Sequence, residues 1–452
     1  MKTSNPERSS RRVCLPDMVG LGGVITLATS LLAGTAHAGS FYLPASDGVV
    51  NLGRASAGRS ALGYDATSVF SNPAALTQLE GTQQWTVGIT PLYIDNVMRD
   101  RGSTVLDGIV PGGIPAQGTD SANGSAFNAL PTLAWARRIG GERNIWIGAG
   151  VQTPYGLGLT YDGPEKFRYD TDEVRLKVID ASAVIGFKLA DTLSLGGGIN
   201  VQYTNAHLVS AVPNLSGTAV PGLSSTDGRL NVRGDNTEVG FNVGLHYRPV
   251  QDWQFGLHYR SSIDNNVEGT LKGANLTGPL AGLNQTFPVS VAIKYPGSLA
   301  AAAAWQTTDA LQLLAEVRWF EWSHFDELRF KLSGGPDLVR PEKYRDAWSG
   351  AIGAEYKLDP AWTVRAGYMF EQTPTTDTTR SVAVPDANRH LFSVGASWAF
   401  KPGWAADVAY QFIKWETVDI NRPDPNTPSL ATTRATGNPE AHFLGIALRR
   451  IY

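Results

Sequence analysis

The strongest constraint on this chain is a unit that recurs through its second half: an alternating strand, a short turn and another alternating strand. From Glu238 to Arg260 one parity reads Val239, Phe241, Val243, Leu245, Tyr247, then Trp253, Phe255, Leu257, Tyr259. The other reads Glu238, Gly240, Asn242, Gly244, His246, then Gln254, Gly256, His258, Arg260. Strand side chains point to opposite faces with period two, so this hairpin has one apolar and one polar face. Soluble sandwiches alternate as well. Here, however, the polar face carries Glu, His and Arg while aromatic rings punctuate the apolar face, the pattern of a wall with lipid outside and a wet lumen inside.

Composition agrees. Charged residues make up 17% of the 452, Gly is abundant at 49 and aromatics reach 10%; mean hydropathy is -0.15. A helical span needs roughly 18 or more apolar residues in a row. The body of the chain has no such run, so a membrane reading requires a β-barrel. A formal charge of -3 without a basic stripe speaks against nucleic acid as a partner.

The N-terminus points to export. Lys2, Arg8, Arg11 and Arg12 precede an apolar stretch from Val19 to Ala33, followed by Ala36-His37-Ala38. A positive region, a hydrophobic region and an A-x-A site predict a cleaved signal over residues 1–38. Cys14 would leave with it, so neither disulfides nor thiol chemistry are expected in the mature chain. Without the four Lys/Arg and two Asp/Glu of that segment, 34 basic and 39 acidic residues leave a charge of -5. No metal-ligand spacing is evident, and no cofactor is expected.

Alternation predicts fourteen strands, near 83–97, 126–139, 144–153, 173–189, 193–210, 236–248, 253–271, 286–306, 311–330, 344–358, 362–372, 389–400, 404–418 and 440–452. The span 286–306 is interrupted by Pro288 and Pro296, which imply an edge, a bulge or a kink. Short connectors such as Ala190–Thr192 and Lys401–Gly403 alternate with long ones such as 98–125 and 211–235. Barrels keep short turns in the periplasm and long loops outside, which would put both termini on the periplasmic side. Tyr247 and Trp253, Tyr356 and Trp362, and Phe400 and Trp404 bracket short turns with lipid-facing parity, as an interfacial girdle would. Tyr452 ends an aromatic-terminated strand of the kind outer-membrane assembly machinery reads. Arg450 interrupts its apolar stripe and would snorkel to the interface.

Before the first strand, residues 39–82 show no sustained alternation. They are rich in Gly and Ala but low in charge, and Leu52, Val69, Phe70 and Leu76 oppose disorder. A plug inside the lumen is the better reading, with Gly240, Gly244 and Gly256 leaving room for it on the inner face.

These residues carry a family likeness. Gly39-Ser40-Phe41, Gly53-Arg54-Ala55, Gly58 and Asp65-Ala66 leading to Asn72-Pro73-Ala74 resemble the N-terminal hatch of FadL-type outer-membrane transporters. The stretch Trp319–Asp326 resembles that family's paired-tryptophan strand, and Tyr344–Trp348, Gly353–Tyr356, Trp362–Tyr368 and Pro385-Asp386 extend the likeness. Thr153–Gly158 is similar to the family's third strand where it leaves regular pairing. The resemblance implies a 14-stranded antiparallel transmembrane β-barrel over 83–452, plugged by a hatch over 39–82, that passes hydrophobic molecules across the outer membrane. It further implies that Phe41 occupies or gates the ligand site, that Asn72, Pro73 and Ala74 hold the hatch, and that Pro154, Tyr155 and Gly156 border a lateral exit. The burial of each CH₂ is worth about 0.8 kcal/mol, so an apolar path to the bilayer suits a greasy solute better than a water-filled channel.

Plainer roles compete. Pro73 can simply end a helical turn with Asn72 as a turn residue, and Gly156 and Gly158 can be loop glycines. Lys166, Arg168 and Arg175 are candidates to pair with a fatty-acid carboxylate, although solvated loop charges are commoner. His246 and His258 read as lumen lining. A lipid hydrolase needs a Ser with a positioned His. His390 and His442 lie at outer strand ends, but no such Ser motif accompanies them, so no catalytic residue is assigned. Long-chain fatty acids are the favoured cargo, with monoaromatic hydrocarbons as the alternative and a general diffusion porin ranked lower. The expected setting is a monomer in outer-membrane lipid and lipopolysaccharide, inserted by the assembly machinery.

Overall fold

The computed structural model describes residues 41–140, 144–161, 163–214, 227–334, 337–423 and 430–452. The predicted export signal, Gly39 and Ser40 lie outside the described residues. No helix among the described residues is long and apolar enough to cross a membrane; the crossing is made by strands.

Fourteen antiparallel strands close into a barrel. In chain order they are β1 (Gln83–Asp95), β2 (Ala126–Ile139), β3 (Ile145–Gln152, then Gly156–Thr160), β4 (Glu173–Ala190) and β5 (Leu193–Val212). Next come β6 (Gly228–Val250), β7 (Trp253–Arg260, then Ile263–Ala274), β8 (Thr286–Tyr295, then Ser298–Gln306) and β9 (Leu311–Phe320, then Glu327–Leu332). The wall is completed by β10 (Leu338–Pro341, then Ala347–Lys357), β11 (Trp362–Glu371), β12 (Arg389–Lys401), β13 (Trp404–Trp415) and β14 (Glu440–Ile451). Pairing of β1 with β14, from Gln84↔Ile451 to Asp95↔Glu440, removes the sheet edges.

Four strands are broken: those expected at 253–271 and 311–330 without interruption, the one at 286–306 where a proline break was expected, and the one expected from 344, which has an additional segment at Leu338–Pro341. The breaks fall at Ser261-Ser262, Pro296-Gly297, Glu321–Asp326 and between Pro341 and Ala347. Pro296 has no N–H for the ladder. Pro288 is tolerated near an end of β8, opposite Thr270. The outward parity is apolar along each strand: Ile185, Phe187, Ile199, Val239, Phe241 and Val243 are all exposed on the barrel exterior. Near the short turns, Trp253 stacks on Trp305 and Trp362 on Trp398, with centroids 5.3 and 5.6 Å apart. The Arg450 guanidinium lies over the Trp404 and Tyr452 rings and donates to the Pro402 carbonyl at 3.1 Å, so its charge sits at the rim among amphipathic rings.

Residues 41–82 thread the lumen as short helical turns, Pro44–Asp47, Val49–Leu52, Ser68–Ser71 and Pro73–Gln78. From Phe41 to Thr77 all are buried except the half-buried Gly63 and Tyr64. The wall accepts this plug in two different ways. Along β3–β6 it supplies missing side chains. A Cβ on Gly148 or Gly150 would strike Val69 or Phe70, on Gly186 or Gly196 Pro73, and on Gly244 the Asn72 amide. Gly256 makes way for Ser60, whereas Gly240 faces Ile263 and Ser261 and gives the plug no room.

Along β9–β14 the wall supplies charge. Arg54 donates to Glu355 at 2.7 Å, and Glu355 is shared with Arg365 at 3.4 Å. Arg59 pairs with Asp47 and approaches Glu316 at 3.5 Å, while the Ser60 amide donates to Glu316 at 2.9 Å. Arg449 binds Asp407 at 2.6 Å and reaches Asp65 at 3.9 Å. These groups are nearly all buried. Removing one member of such a pair would leave an uncompensated charge, at a cost of about 3–5 kcal/mol.

Candidate functional site: an aromatic cage at the break in the third strand

Strand β3 pairs with β4 from Ile145↔Phe187 to Gln152↔Asp180, and again from Gly156↔Lys177 to Thr160↔Glu173. Between these ladders Thr153, Pro154 and Tyr155 stand against only Val178 and Ile179, so β3 bulges there. On its other side β3 stays with β2 only as far as Leu133↔Val151. The remainder of β2, Ala126–Thr132, pairs with β1 and has no ladder partner towards β3 among the described residues. The wall is therefore interrupted between β2 and β3, alongside the bulge.

The first described residues of the plug fill the inner side of that interruption. The Leu43 amide donates to the Pro154 carbonyl at 2.9 Å, and Tyr42 forms a bridge with Tyr155. Phe41, in a left-handed conformation at φ 38°, is 2% exposed. Its ring lies 4.8 Å from Trp322, 5.5 Å from Phe325 and 6.2 Å from both Tyr155 and Tyr295. Tyr344 packs behind, 4.9 Å from Phe325. Beneath this cage Tyr42 receives a hydrogen bond from Arg318, which also binds Glu316 at 2.8 Å. The cage thus has an apolar top and a charged floor.

Two cavities lie on the loop side of the cage. An inner one of about 100 Å³ is bounded by Phe41, Leu157, Val267, Ile293, Phe325 and Tyr344, among others. An outer one of about 460 Å³ lies under the loops, with Leu276, Leu280, Leu283 and Leu430 in its wall. Leu208, Val232, Phe330 and Arg340 border both, so the two cavities adjoin. Arg340 is the cation common to the two walls; it is held by Glu342 at 3.0 Å and Asp170 at 3.1 Å.

The residues singled out from sequence fall into three places. Phe41, Pro154, Tyr155 and Gly156 are brought together at the break. Asn72, Pro73 and Ala74 lie deeper, against β5 and β6: the Asn72 amide donates to the Ser60 and Leu245 carbonyls at 2.7 and 2.9 Å and accepts from the Ala74 amide at 3.0 Å. The three cations lie elsewhere. Lys166 is in the connector between β3 and β4, its ammonium pKa raised by the hydrogen bond to Asp120. Arg168 is held by Asp227 at 2.7 Å and by the Gln117 and Glu165 carbonyls; burial raises the Asp227 carboxyl despite that guanidinium. Arg175 borders the inner cavity, but alternation turns its half-exposed side chain to the barrel exterior, where Glu173 binds it at 2.8 Å.

His246 and His258 are buried on the lumen face, and His246 meets Gln254 at 3.2 Å. His390 and His442 each face a tyrosine hydroxyl, of Tyr368 and Tyr410, at 2.8 and 2.7 Å. The cage residue Tyr295 and the cation Arg340 were not singled out from sequence, and Trp322 and Phe325 lay in the stretch Trp319–Asp326 noted for its family likeness without a site role. The lapse of alternation at 321–326, within an aromatic-rich stretch, was the signal available for Trp322 and Phe325.

Residues 29–452 match the family described as outer membrane protein transport protein (OMPP1/FadL/TodX). The chain is 26% identical over 392 residues to a long-chain fatty acid transport protein of Escherichia coli O6:H1, covering 81% of this chain and 84% of that one. It is equally 26% identical over 406 residues to outer membrane protein P1 of Haemophilus influenzae, again covering 81% and 84%. Among solved structures, a Pseudomonas aeruginosa FadL homologue superposes with a TM-score of 0.82 at 24% identity, over 91% of this chain and 99% of that one. The Ralstonia pickettii toluene transporter TbuX gives 0.64 at 19% identity, over 90% and 98%. The closed barrel, the lumenal plug and the family match together place this chain in the outer membrane, as a member of the FadL/TodX family of transporters of hydrophobic compounds.

Proposed function

We propose that this protein takes up long-chain fatty acids by passive diffusion, from the loops through the two cavities to Phe41 and sideways into the bilayer at the break in β3. The observation that carries the reading is that the two cavities adjoin and lead down to Phe41. The outer and inner cavities share four residues, and the inner one ends on Phe41, whose cage includes Tyr155 of the bulge. An apolar chain remains out of water along this path, at about 0.8 kcal/mol per buried CH₂. Arg340 in the wall of both cavities suits a carboxylate, and the relatives named as fatty acid transport proteins support the same cargo.

In this reading residues 39–82 act as the hatch. Phe41 gates the inner cavity, Asn72, Pro73 and Ala74 seat the hatch on β5–β6, and Pro154, Tyr155 and Gly156 border the exit. The protein works as a monomer, without catalysis, surrounded by lipopolysaccharide after insertion by the assembly machinery. Monoaromatic hydrocarbons are the second reading, favoured by an inner cavity of only about 100 Å³, close to the size of one small solute. Uptake of radiolabelled oleate and toluene in cells lacking their own transporter separates the two. Oleate accumulation that falls in an Arg340→Gln variant is expected, whereas toluene accumulation alone would overturn the fatty-acid reading.

A further inference from the structure

We propose that the outer face of β4–β6, beside the break in β3, is a docking site for the phosphate groups of an outer-leaflet lipopolysaccharide, with Arg175, Arg233 and Lys177 as its cations. The inference rests on the membrane orientation of the barrel, not on its cargo.

Register aligns the site. His207 of β5 stands directly opposite Arg175 of β4 on one side and Arg233 of β6 on the other. One row nearer the membrane, Asn205 stands between Lys177 and Asp235. Neighbouring strands lie about 4.8 Å apart, so Arg175, His207 and Arg233 span roughly 10 Å across the sheet. All three share the outward parity of their strands. Below them on that parity come Ile179, Ile185 and Phe187 on β4, Ile199, Val201 and Tyr203 on β5, and Val239, Phe241 and Val243 on β6. Arg175 is four residues above Ile179, and His207 four above Tyr203. At about 3.3 Å per residue and a tilt of roughly 40°, the row lies about 10 Å beyond the apolar band, at headgroup depth.

The opposite wall is built differently at its outer edge. There Tyr368, Phe392, Phe412, His442 and Tyr93 stand side by side in register over β11–β14 and β1, an aromatic belt of the kind that suits an interface. On β4–β6 that belt is reduced to Tyr203, and cations rise above it. Acids are present too. Glu173 holds Arg175 at 2.8 Å and is shared with His207 at 3.2 Å, while Asp235 lies opposite Glu268 one row below. Arg233 is exposed and has no ion pair among the described residues. A lipid phosphate offers such a guanidinium charge-assisted, bidentate hydrogen bonds. Arg175 also lies opposite Gly158 of β3, so an occupied site would set a lipid headgroup against the upper segment of the broken strand.

The test uses the full protein in detergent and bisphosphorylated lipid A as probe, read by native mass spectrometry. Wild-type protein should retain the lipid, and an Arg175→Gln/Arg233→Gln variant should bind it about ten-fold more weakly. Lys414→Gln, on the far wall, should bind as the wild type does. If the double variant fails to fold, Lys177→Gln should still weaken binding by about three-fold. Unchanged affinity in these variants, equal retention of lipid A stripped of both phosphates, or displacement by equimolar inorganic phosphate would overturn the proposal. Oleate uptake is measured separately, so failure here leaves the transport reading intact.

Discussion

The Leu43 amide donates to the Pro154 carbonyl at 2.9 Å, which ties the start of the plug to a strand whose pairing is interrupted towards both neighbours. Pro154 cannot serve a ladder as a donor, and its carbonyl, freed by the bulge, is satisfied by the plug instead. In the proposed route, movement of the plug's first residues would expose the interruption in the wall, so that gate and exit would act as one element.

Phe41→Ala removes the ring at the centre of this junction. Truncating a buried Phe costs about 3–5 kcal/mol, more than a short segment tied by few hydrogen bonds is expected to withstand. Residues 41–43 should detach locally while the barrel remains folded. Trp322 emission should shift to the red, and oleate uptake should fall several-fold. An unchanged spectrum would place the ring outside the cage in solution.

Asn72→Ala removes three hydrogen bonds that tie the plug to itself and to β6. Buried groups left unpaired cost about 1–3 kcal/mol each. The expected outcome is a looser plug, seen as raised ion conductance in planar bilayers. Asn72→Asp keeps the acceptor for the Ala74 amide but loses both donors, and should conduct nearly as much.

Gly196→Val tests the close approach on the β5 side, where a Cβ would strike the Pro73 and Ala74 backbone. The side chain cannot be accommodated without displacing the plug, so proteolysis within residues 67–79 should accelerate. Gly350→Val, at a site with open space around its Cβ, should leave cleavage as in the wild type.

Glu355→Gln tests the opposite wall. It strips the shared partner from Arg54 and Arg365, two buried guanidiniums, and should lower stability by about 3–5 kcal/mol, read as a lower temperature of heat modification in gel migration. Glu355→Met together with Arg54→Met should recover only part of that loss, because the apolar replacement removes one pair but leaves the buried Arg365 without its carboxylate.

The wall was largely legible because a strand's period is local: Val239 to Tyr247 and Trp253 to Tyr259 declare their faces without reference to any other part of the chain. The breaks were only partly legible. Pro296 announced one, but Ser261-Ser262 carry no comparable signal. The site was less legible still. Arg54 and Glu355 are 301 residues apart, and nothing local marks them as partners. Arg175 reads as one of several loop cations, and only register shows that Val174 and Leu176 face inward while it faces out. Arg340 lies on a short strand segment whose loop must fold back before the residue meets either cavity.

The central claim is that solute leaves where β3 is broken, and deleting Thr153–Tyr155 tests it most directly. The deletion moves Gly156 from opposite Lys177 to opposite Ile179, a shift of two that keeps every side chain on its own face and lets β3 and β4 pair without a bulge. Tyr155→Ala, which keeps the bulge, controls for the loss of the ring. With the deletion variant verified as a heat-modifiable barrel, oleate uptake should drop to the level of cells without the protein, while Tyr155→Ala retains part of it. Wild-type uptake by the deletion variant would contradict the lateral route.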